Sequence, residues 1–328
     1  MMRMTVLASG SKGNSTVISS SRTCVLVDAG LSCRELLKRM ALAGEDPRAL
    51  DAILITHEHQ DHVAGLGVLA RRLGIPVYFT EPTHRAWVRM LTPRTTMSYA
   101  QWLDHVQREK EARANLAASS RELETGLCDS MSAAVEASGS ETAEPEDSEP
   151  ETPQKTKADP TWLPSVEYFH SGRQFLIGDI EITPFTIPHD ATDPCGFVFA
   201  SEGVRMALAT DLGYMPPNVK EALKRIDVLL LESNHDLEML KDGPYPWSVK
   251  QRVLSRVGHL SNLATAEFLE RDYDGTASYI VLGHLSESNN APELALLAAE
   301  QALCNHPTLL GNRILLAEQI APLSPISM

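Results

Sequence analysis

The sequence predicts an α/β fold, in which helices are distributed between strands along the chain. Two observations support this class. Short apolar runs rich in β-branched residues recur from the first residues to about position 317, bounded by turn-forming residues, as is typical of buried strands. Between them lie segments whose apolar residues recur at helical spacing. Periodicity alone indicates no finer class than α/β.

The strands are expected wherever such an apolar run appears, and the clearest runs are 24–27, 52–55 and 279–283. In chain order, strands are expected at residues 4–8, 15–19, 24–28, 52–56, 76–80, 166–170, 174–187, 196–201, 204–210, 227–231, 278–283 and 313–317. Helices are expected at residues 33–43, 62–73, 82–91, 216–225, 248–256, 261–270 and 292–304. Ser261 and Asn262 are natural N-caps for the sixth of these helices.

Six consecutive residues after the strand expected at 52–56 include four histidine and aspartate side chains, which are of types that bind metal ions. They read His57-Glu58-His59-Gln60-Asp61-His62. In an extended segment His57 and His59 point the same way and can share one ion, because side chains alternate with period two. Asp61 and His62 come where the chain turns into a helix, so they face another direction and can serve a second ion. The block therefore predicts a two-metal site.

This block also carries a family resemblance. With its H-x-H-x-D-H pattern, the stretch 51–67 closely resembles the signature of the metallo-β-lactamase superfamily. Other segments resemble the YycJ (WalJ) branch of that superfamily, namely 7–15, 27–32, 65–70, 188–190 with 193–194, 232–236, 258–262, and 284–286 with 289–290. Together they cover the chain from about residue 5 to residue 319, apart from one central insertion.

The resemblance implies a fold, an αββα sandwich of two packed mixed sheets with helices on both outer sides. It also implies a ligand set: His57, His59 and His189 for one ion, Asp61, His62 and His284 for the other, with Asp211 as the bridge. Asp28, His189, Asp211 and His284 each follow an expected strand, where a rigid sheet can hold a ligand beside open coordination positions. No ligand position departs from the family pattern.

The resemblance further implies an activity, since members of this branch are regarded as metal-dependent hydrolases of nucleic-acid phosphodiesters, with exonuclease action on DNA proposed. Two ions roughly 3.5–4 Å apart can activate a bridging hydroxide and clamp the attacked group. Zinc is the family default for these two divalent ions, and manganese or iron also suits His and Asp ligands. Asp28 is expected to orient a ligand histidine from outside the metal shell. The residues assigned to catalysis are Asp61, His259 and Asp28.

Further polar residues fall in loops expected around that centre. His259 or His235 could protonate a leaving alkoxide or bind phosphate, since histidine has a suitable pKa near neutral pH. The residues assigned to substrate binding are Asn234, His235, Ser261, Asn262, Ser286 and Asn289. For each, capping a helix or bracing a loop is the competing interpretation. The loop 9–15 could likewise cradle phosphate or form a tight turn.

The central part of the chain differs in composition from the rest. Residues 129–151 contain eight acidic side chains and no basic one, with Ser, Thr, Ala and Pro between them. Such a run cannot bury enough apolar surface to offset its ordering entropy. We expect residues 119–160 to be a disordered insertion within one catalytic domain spanning 1–328, because the ligands from Asp28 to His284 must converge. An amphipathic helix is expected at 99–116.

Net charge bears on the substrate. The total of −14 argues against broad nonspecific binding of nucleic acid, which usually draws on clustered Lys and Arg. Metal ions can supply positive charge locally, so a DNA or other phosphodiester substrate is permitted but not required. Lys12, Lys250, Arg252 and Arg256 are candidate basic helpers, although solvated surface charge is the usual role of such residues.

Hydrophobic content and cysteine spacing bear on the class of protein and on its expected location. At 43% hydrophobic the chain can bury a large core, yet no stretch approaches the roughly 20 apolar residues that span a membrane. The five scattered cysteines favour reduced thiols, Cys195 being a buried inert one, and a cytoplasmic location is expected. The sequence does not indicate an oligomeric state. A thioester or lactam hydrolase with the same centre, or a noncatalytic metal-binding regulatory protein, remain alternatives.

Overall fold

Two seven-stranded sheets are found in the residues that the computed structural model describes, which are 1–92, 159–304 and 311–328. The first sheet has the order β14-β1-β2-β3-β4-β5-β6. Its strands are β1 (Arg3–Ala8), β2 (Ser15–Ser19), β3 (Cys24–Val27), β4 (Ala52–Leu54), β5 (Val77–Phe79), β6 (Val166–Tyr168) and β14 (Ile326–Ser327). Strands β3 to β6 pair in parallel, and the remaining pairs are antiparallel.

The second sheet has the order β13-β12-β11-β10-β9-β8-β7. Its strands are β7 (Phe175–Ile177), β8 (Ile180–Thr186), β9 (Cys195–Ser201), β10 (Val204–Ala209), β11 (Val228–Glu232), β12 (Tyr279–Gly283) and β13 (Arg313–Leu316). Strands β10 to β13 pair in parallel. Each sheet is therefore mixed, with a parallel half whose strands all end at one edge.

The helices in the described residues are α1 (Cys33–Leu42), α2 (Gln60–Val63), α3 (Leu66–Leu73), α4 (Glu81–Leu91), α5 (Pro217–Ala222), α6 (Leu237–Asp242), α7 (Trp247–Val253), α8 (Asn262–Arg271) and α9 (Pro292–Cys304). A 3₁₀ turn covers Pro47–Ala49. Side-chain caps explain several helix starts, because the Ser32, Thr80 and Ser261 hydroxyls accept backbone N–H groups of the first turns of α1, α4 and α8.

Three layers of apolar contact confirm the expected αββα sandwich. The inner core lies between the sheets and receives Val25 and Val27 from β3 and Met206 and Leu208 from β10. The alternate residues of β10, Ala207 and Ala209, face outward and pack with helices α5, α8 and α9. Helices α1, α3 and α4 cover the outer face of the first sheet in the same way. Because the central strands are buried on both faces, they read as continuous apolar runs in the sequence.

The structure corrects two predicted elements. The single strand expected at 174–187 is two strands, β7 and β8, because Gly178 has φ +55° and makes a tight turn with Asp179. The helix expected at 62–73 is two helices, α2 and α3, separated at Gly65. A Cβ atom on Gly65 would lie 2.1 Å from the Leu31 carbonyl oxygen, so only glycine fits there, and the Gly65 N–H donates to the Ala29 carbonyl at 2.8 Å, outside the helix. Helix α6 and strand β14 were not predicted.

The expected acidic insertion lies almost wholly outside the described residues, as does the helix expected at 99–116. Of the predicted segment 119–160, only its last two residues are described, and the Pro160 carbonyl accepts a hydrogen bond from Arg71 Nη1 at 3.2 Å. Disorder of the insertion and the single-domain organisation therefore stay predictions. Within the described ranges, no helix has the length and apolar character needed to cross a bilayer.

Candidate metal centre

Three histidines at the carboxyl edge of the two sheets bring one ring nitrogen each to a common point. His57 and His59 follow β4, and His189 follows β8. The His57 Nε2 and His59 Nδ1 atoms are 3.1 Å apart, and His189 Nε2 lies 3.2 Å from the same His59 nitrogen. Nitrogen atoms bound to one zinc ion at tetrahedral angles lie roughly 3.3 Å apart. The first predicted ligand set therefore converges as expected.

The second predicted set, Asp61, His62 and His284, also converges. Asp61 and His62 belong to α2, and His284 follows β12. The Asp61 Oδ2 atom lies 3.5 Å from His62 Nε2 and 3.7 Å from His284 Nε2. Both imidazoles are buried, whereas a quarter of the Asp61 side chain is exposed. This set opens to solvent through its carboxylate.

Asp211 lies between the two sets. Its Oδ1 atom is 3.8 Å from His189 Nε2, and its Oδ2 atom is 3.5 Å from His62 Nε2. Asp211 has φ +63°, and Asp28 and His284 also have left-handed backbones, at φ +59° and +56°. Such conformations are uncommon outside glycine and concentrate at functional sites. At this edge they turn the side chains back across the strand ends.

Buried polar atoms at the centre fit bound cations. Asp211 Oδ2 and His284 Nε2 are buried and have no hydrogen-bond partner among the described residues. An unpaired carboxylate oxygen in a protein interior is costly unless a cation compensates it. Two neighbouring sets of three ligands with a shared carboxylate can hold two ions, and the donors are the histidine and aspartate groups that suit zinc, manganese or iron.

Asp28 contacts a histidine of the second set without belonging to either set. Its Oδ2 atom accepts a hydrogen bond of 2.8 Å from His62 Nδ1, which leaves His62 Nε2 as the nitrogen directed at the second set. The Thr56 backbone N–H and hydroxyl both donate to the Asp28 carboxylate, at 2.9 Å each. The bond holds the His62 ring in one orientation, as partners of ligand histidines do, and the role of Asp28 in catalysis stays a prediction.

Glu232, the last residue of β11, is a site residue that the sequence reasoning did not assign. Its Oε1 atom accepts from His284 Nδ1 at 2.7 Å and from His259 Nδ1 at 2.9 Å. Its Oε2 atom accepts the backbone N–H groups of Leu212 and Leu260. The carboxylate is fully buried. A glutamate ending a run of four apolar strand residues was the available signal, since a buried acid needs partners.

These contacts also interpret a third possible ligand group, formed by Asp211, Glu232, His259 and His284. The Nδ1 atoms of His259 and His284 both lie at hydrogen-bond distance from Glu232 Oε1. The N–H protons of the two rings therefore lie between these nitrogens and the Glu232 carboxylate, where an ion would otherwise be bound. His284 is left to bind through Nε2. His259, which is one-fifth exposed, presents its own Nε2 away from Glu232. The group is better described as a hydrogen-bonded support than as another ion site.

Burial and neighbouring carboxylates shift the pKa values of the histidines in the two sets in different directions. Burial lowers the pKa of His57 well below its usual value and lowers that of His189. Burial alone would also lower the pKa of His62 and His284, but the neighbouring carboxylates, Asp28 beside His62 and Asp211 beside His284, raise both well above the usual value. Neutral imidazole is the form that binds metal, so protons and metal ions compete for the second set.

The loop at residues 9–15 forms a turn that supports the second set. Gly13 N–H donates to the Gly10 carbonyl at 3.2 Å, which matches the tight-turn alternative. The Ser9 hydroxyl accepts the His284 backbone N–H at 2.7 Å, and the Asn14 amide donates to Asp61 Oδ2 at 3.2 Å. Asn14 was not singled out from the sequence. Its signal, an Asn within a Gly-Ser turn, does not distinguish a ligand support from an ordinary turn residue.

Most residues assigned to substrate binding make internal hydrogen bonds. Asn234 Nδ2 donates to the His284 carbonyl at 2.7 Å, and Asn262 exchanges hydrogen bonds with Ser233 and Asn290. The hydroxyls of Ser261 and Ser286 accept backbone N–H groups of Ala264 and Asn289. All five assigned side chains, Asn234, Ser261, Asn262, Ser286 and Asn289, are buried. This geometry favours loop support, and their role in substrate binding stays a prediction.

His235, the remaining residue of that group, is 1% exposed. Both its ring nitrogens are buried without a hydrogen-bond partner in the described part of the chain. Burial lowers its pKa to about 4. The ring is therefore neutral near pH 7 and does not face the cleft in this conformation.

The sequence of this chain matches the family model of the Metallo-beta-lactamase superfamily over residues 8–284. Exodeoxyribonuclease WalJ of Streptococcus pneumoniae is 33% identical over 293 residues, covering 89% of this chain and 85% of the relative. Exodeoxyribonuclease YycJ of Bacillus anthracis is 31% identical over 302 residues, covering 92% and 89%. The crystal structure of the metallo-beta-lactamase fold protein YhfI from Bacillus subtilis superimposes with a TM-score of 0.58 at 13% identity, covering 98% and 99% of the two chains, and shows the shared fold.

Proposed function

The chain belongs to the metallo-beta-lactamase superfamily, and on that premise we propose that it is a two-metal hydrolase that removes nucleotides from the ends of DNA. The observation that carries the proposal is the position of Asp211 between two sets of three ligands, which suits a pair of ions acting on one phosphodiester. The substrate and the terminal mode of cleavage rest on relatives named exodeoxyribonucleases that match about nine-tenths of the chain.

The proposed ligands follow the two sets. His57, His59 and His189 would hold one ion, Asp61, His62 and His284 would hold the other, and Asp211 lies within reach of both sets. Zinc is the expected metal, with manganese or iron as alternatives. When bound, such a pair lowers the pKa of a water molecule and neutralises charge on the attacked phosphodiester.

The protein groups then orient the reactants. The partly exposed Asp61 carboxylate faces the cleft, and Asn14 fixes its Oδ2 atom. At this position Asp61 can accept a hydrogen bond from the attacking water. Asp28 acts on His62 alone, so its effect on catalysis is through that ring.

His259 is the proposed general acid. Its Nδ1 donates to Glu232, which leaves Nε2 to carry a proton to the departing alkoxide. Burial alone would raise the pKa of Glu232, but His259 and His284 outweigh burial and hold that pKa well below its usual range. An ionised Glu232 accepts from His259 Nδ1 and so orients that ring.

Time courses on end-labelled DNA test the proposal. The metal-loaded full chain should shorten a single-stranded or duplex oligonucleotide progressively from one end, and a chelator should stop the reaction. A bis-aryl phosphodiester and a small aryl thioester serve as comparison substrates. Turnover of the thioester with neither phosphodiester cleaved would replace the proposal by the thioester hydrolase alternative.

A further inference from the structure

One side of the metal centre is bordered by an acid-free stretch of this acidic chain. The sequence has 43 acidic residues and a net charge of −14, yet none lies between Asp242 and Glu267. That interval includes helix α7 and the residues up to His259. We propose that Arg252, in the last turn of α7, and Arg256, three residues beyond its end, bind phosphates of the DNA strand next to the scissile bond; this inference rests on the proposed function.

The backbone after α7 packs directly on the ligand loops. The Gly258 carbonyl accepts a hydrogen bond of 3.2 Å from His189 Nδ1, and the Val257 carbonyl accepts the Asp190 N–H at 3.0 Å. A Cβ atom on Gly213 would lie 2.2 Å from the Arg256 carbonyl oxygen, so this loop, two residues beyond Asp211, also touches the segment. The two arginines are therefore held at the rim of the centre by rigid contacts.

Arg252 is separated from a proposed ligand by one carboxylate group. Its Nε donates to Asp190 Oδ2, while Asp190 Oδ1 lies 3.5 Å from His189 Nε2. The Arg252 side chain is 60% exposed. Arginine has five N–H donors, and the contact with Asp190 uses one of them. The remaining donors can receive phosphate oxygens, for which the planar guanidinium is well suited.

Arg256 is held by an aromatic ring. Its guanidinium carbon lies 4.3 Å from the centroid of the Tyr214 ring, and Tyr214 is three residues from Asp211. In the described ranges no carboxylate lies within ion-pair distance of Arg256. Stacking on the ring leaves the N–H groups at the edge of the guanidinium free to bind an anion.

The other candidate bases are less suited to this role. Lys250 is buried, and its Nζ donates to the Lys241 carbonyl at 2.6 Å, so it braces α6 against α7. The Lys12 charge is already paired, since its Nζ lies 2.5 Å from Glu287 Oε2. A strand whose scissile phosphate lies at the metals would have its neighbouring phosphates along Arg252 and Arg256. A DNA strand has the negative charges that two arginines bind, and its phosphates are spaced along the strand on either side of the one at the metal centre.

The test compares Arg252→Gln and Arg256→Gln with Arg271→Gln, a matched control. Arg271 is an exposed arginine at the end of α8, a helix roughly 15 Å long that starts near the centre and leads away from it. For a single-stranded oligonucleotide, each rim variant of the metal-loaded full chain should raise KM about tenfold, the effect of one charge-assisted hydrogen bond. The loss should be larger on the oligonucleotide than on a bis-aryl phosphodiester, and the control should match the unaltered protein on both substrates.

Binding supplies a second readout. Anisotropy of a labelled oligonucleotide with the metal-free full chain should show a slope of log Kd against log salt that falls by about 0.7 per lost phosphate contact. Because Arg252→Gln leaves Asp190 without its partner, its metal content is measured, and a loss of metal makes Arg256→Gln the deciding variant. Unchanged KM and salt slope, with DNA still cleaved, overturn the inference alone. Absence of any DNA binding or cleavage by the unaltered protein overturns the inference and the proposed function together.

Discussion

The Oε1 atom of Glu232 lies 2.9 Å from His259 Nδ1, and the same oxygen accepts from His284 Nδ1 at 2.7 Å. One carboxylate thus orients a proposed metal ligand and the proposed general acid. Because both rings share one acceptor, a change at Glu232 reaches the second metal set and His259 at once. The ionised carboxylate also compensates charge on either ring.

Replacing Glu232 by Gln removes that negative charge with little change of shape. We expect a 10- to 100-fold loss of metal affinity, since partners that orient ligand histidines have effects of this size. Metal titration followed by calorimetry measures the loss. Glu267→Gln, an exposed residue of α8, is the control and should bind as the unaltered protein does. Equal affinities for the two variants would show that His284 needs no carboxylate partner.

His259→Ala should keep its metal but lose on the order of 10²-fold or more in cleavage rate on DNA, the usual scale for general acid catalysis. The loss should be smaller on a substrate with a nitrophenolate leaving group, which departs without a proton. Rates on both substrates measure the difference. An equal loss on both would instead assign phosphate positioning to His259, and unchanged rates would remove it from the site.

Two separate ligand sets predict a defined metal stoichiometry. The unaltered chain should bind about two transition-metal ions after reconstitution, and Asp61→Ala or His62→Ala should bind about one, because each removes a ligand of the second set. Elemental analysis of dialysed protein provides the count. His84→Ala, a histidine that contacts Tyr168 and lies outside all four ligand groups, should retain both ions. Two ions in the Asp61 and His62 variants would contradict the two-set assignment.

The convergence of the proposed ligands could be predicted from the sequence because they come after the apolar strands β4, β8, β10 and β12. Strand β4 lies in the parallel half of the first sheet and β10 and β12 in that of the second, and β8 runs in the same direction as β10 because both pair antiparallel with β9. The residues from His57 to His62 are contiguous, so their pattern can be recognised in the sequence without knowledge of the fold. Glu232 could not be assigned in the same way, since its partners His259 and His284 are 27 and 52 residues away. Its local signal, an acidic residue at the end of an apolar run, does not identify the two distant imidazoles as its partners.

For the polar loop residues, the sequence predicts more binding residues than the hydrogen bonds of the structure support. Asn234, Asn262 and Ser286 have the residue types of a binding site, and the sequence places them near the centre. Asn234 Nδ2 and the Ser286 hydroxyl are nevertheless hydrogen-bonded to backbone groups, and the Asn262 amide is hydrogen-bonded to the side chains of Ser233 and Asn290. Residue type and position predict proximity to a site, whereas hydrogen-bond partners decide whether a side chain is free to bind.

Gly30 is a position where the backbone leaves no space for a side chain. A Cβ atom there would lie 1.7 Å from the Asp61 carbonyl oxygen and 2.6 Å from the Asn14 backbone nitrogen. Gly30→Ala should therefore displace Asp61, lower the affinity of the second ion and destabilise the fold by about 1–3 kcal/mol, the usual cost of overpacking. Metal titration and denaturant unfolding measure both effects.

Gly67→Ala provides the matched control, since the atom nearest to its added Cβ is the flexible end of Arg71 at 3.1 Å and the residue lies within α3. It should retain both ions and gain helix propensity. A Gly30→Ala variant as stable as this control, with two ions bound, would show that the α2 loop can move away from Gly30 without cost.

His235 predicts a pH dependence of stability. Its pKa is lowered by burial to about 4 in the folded protein, against about 6.5 in an unfolded chain. Between these values the unfolded chain binds a proton at this position and the folded chain does not. The stability that the neutral His235 ring contributes is therefore lost as the pH falls from about 6.5 to about 4, by at most about 3.5 kcal/mol at about 1.4 kcal/mol per pKa unit.

His235→Leu isolates that contribution, because the buried ring has no hydrogen-bond partner among the described residues to be lost. Denaturant unfolding of the metal-free full chain at pH 7.5, 6 and 5 measures the free energy of unfolding. As the pH falls, this free energy should decrease less for the variant than for the unaltered protein. The ligand histidines titrate equally in both proteins, so they cancel from the difference. Parallel stabilities over this range would mean that the folded protein protonates His235 readily, and hence that the ring reaches solvent, as a substrate-binding role requires.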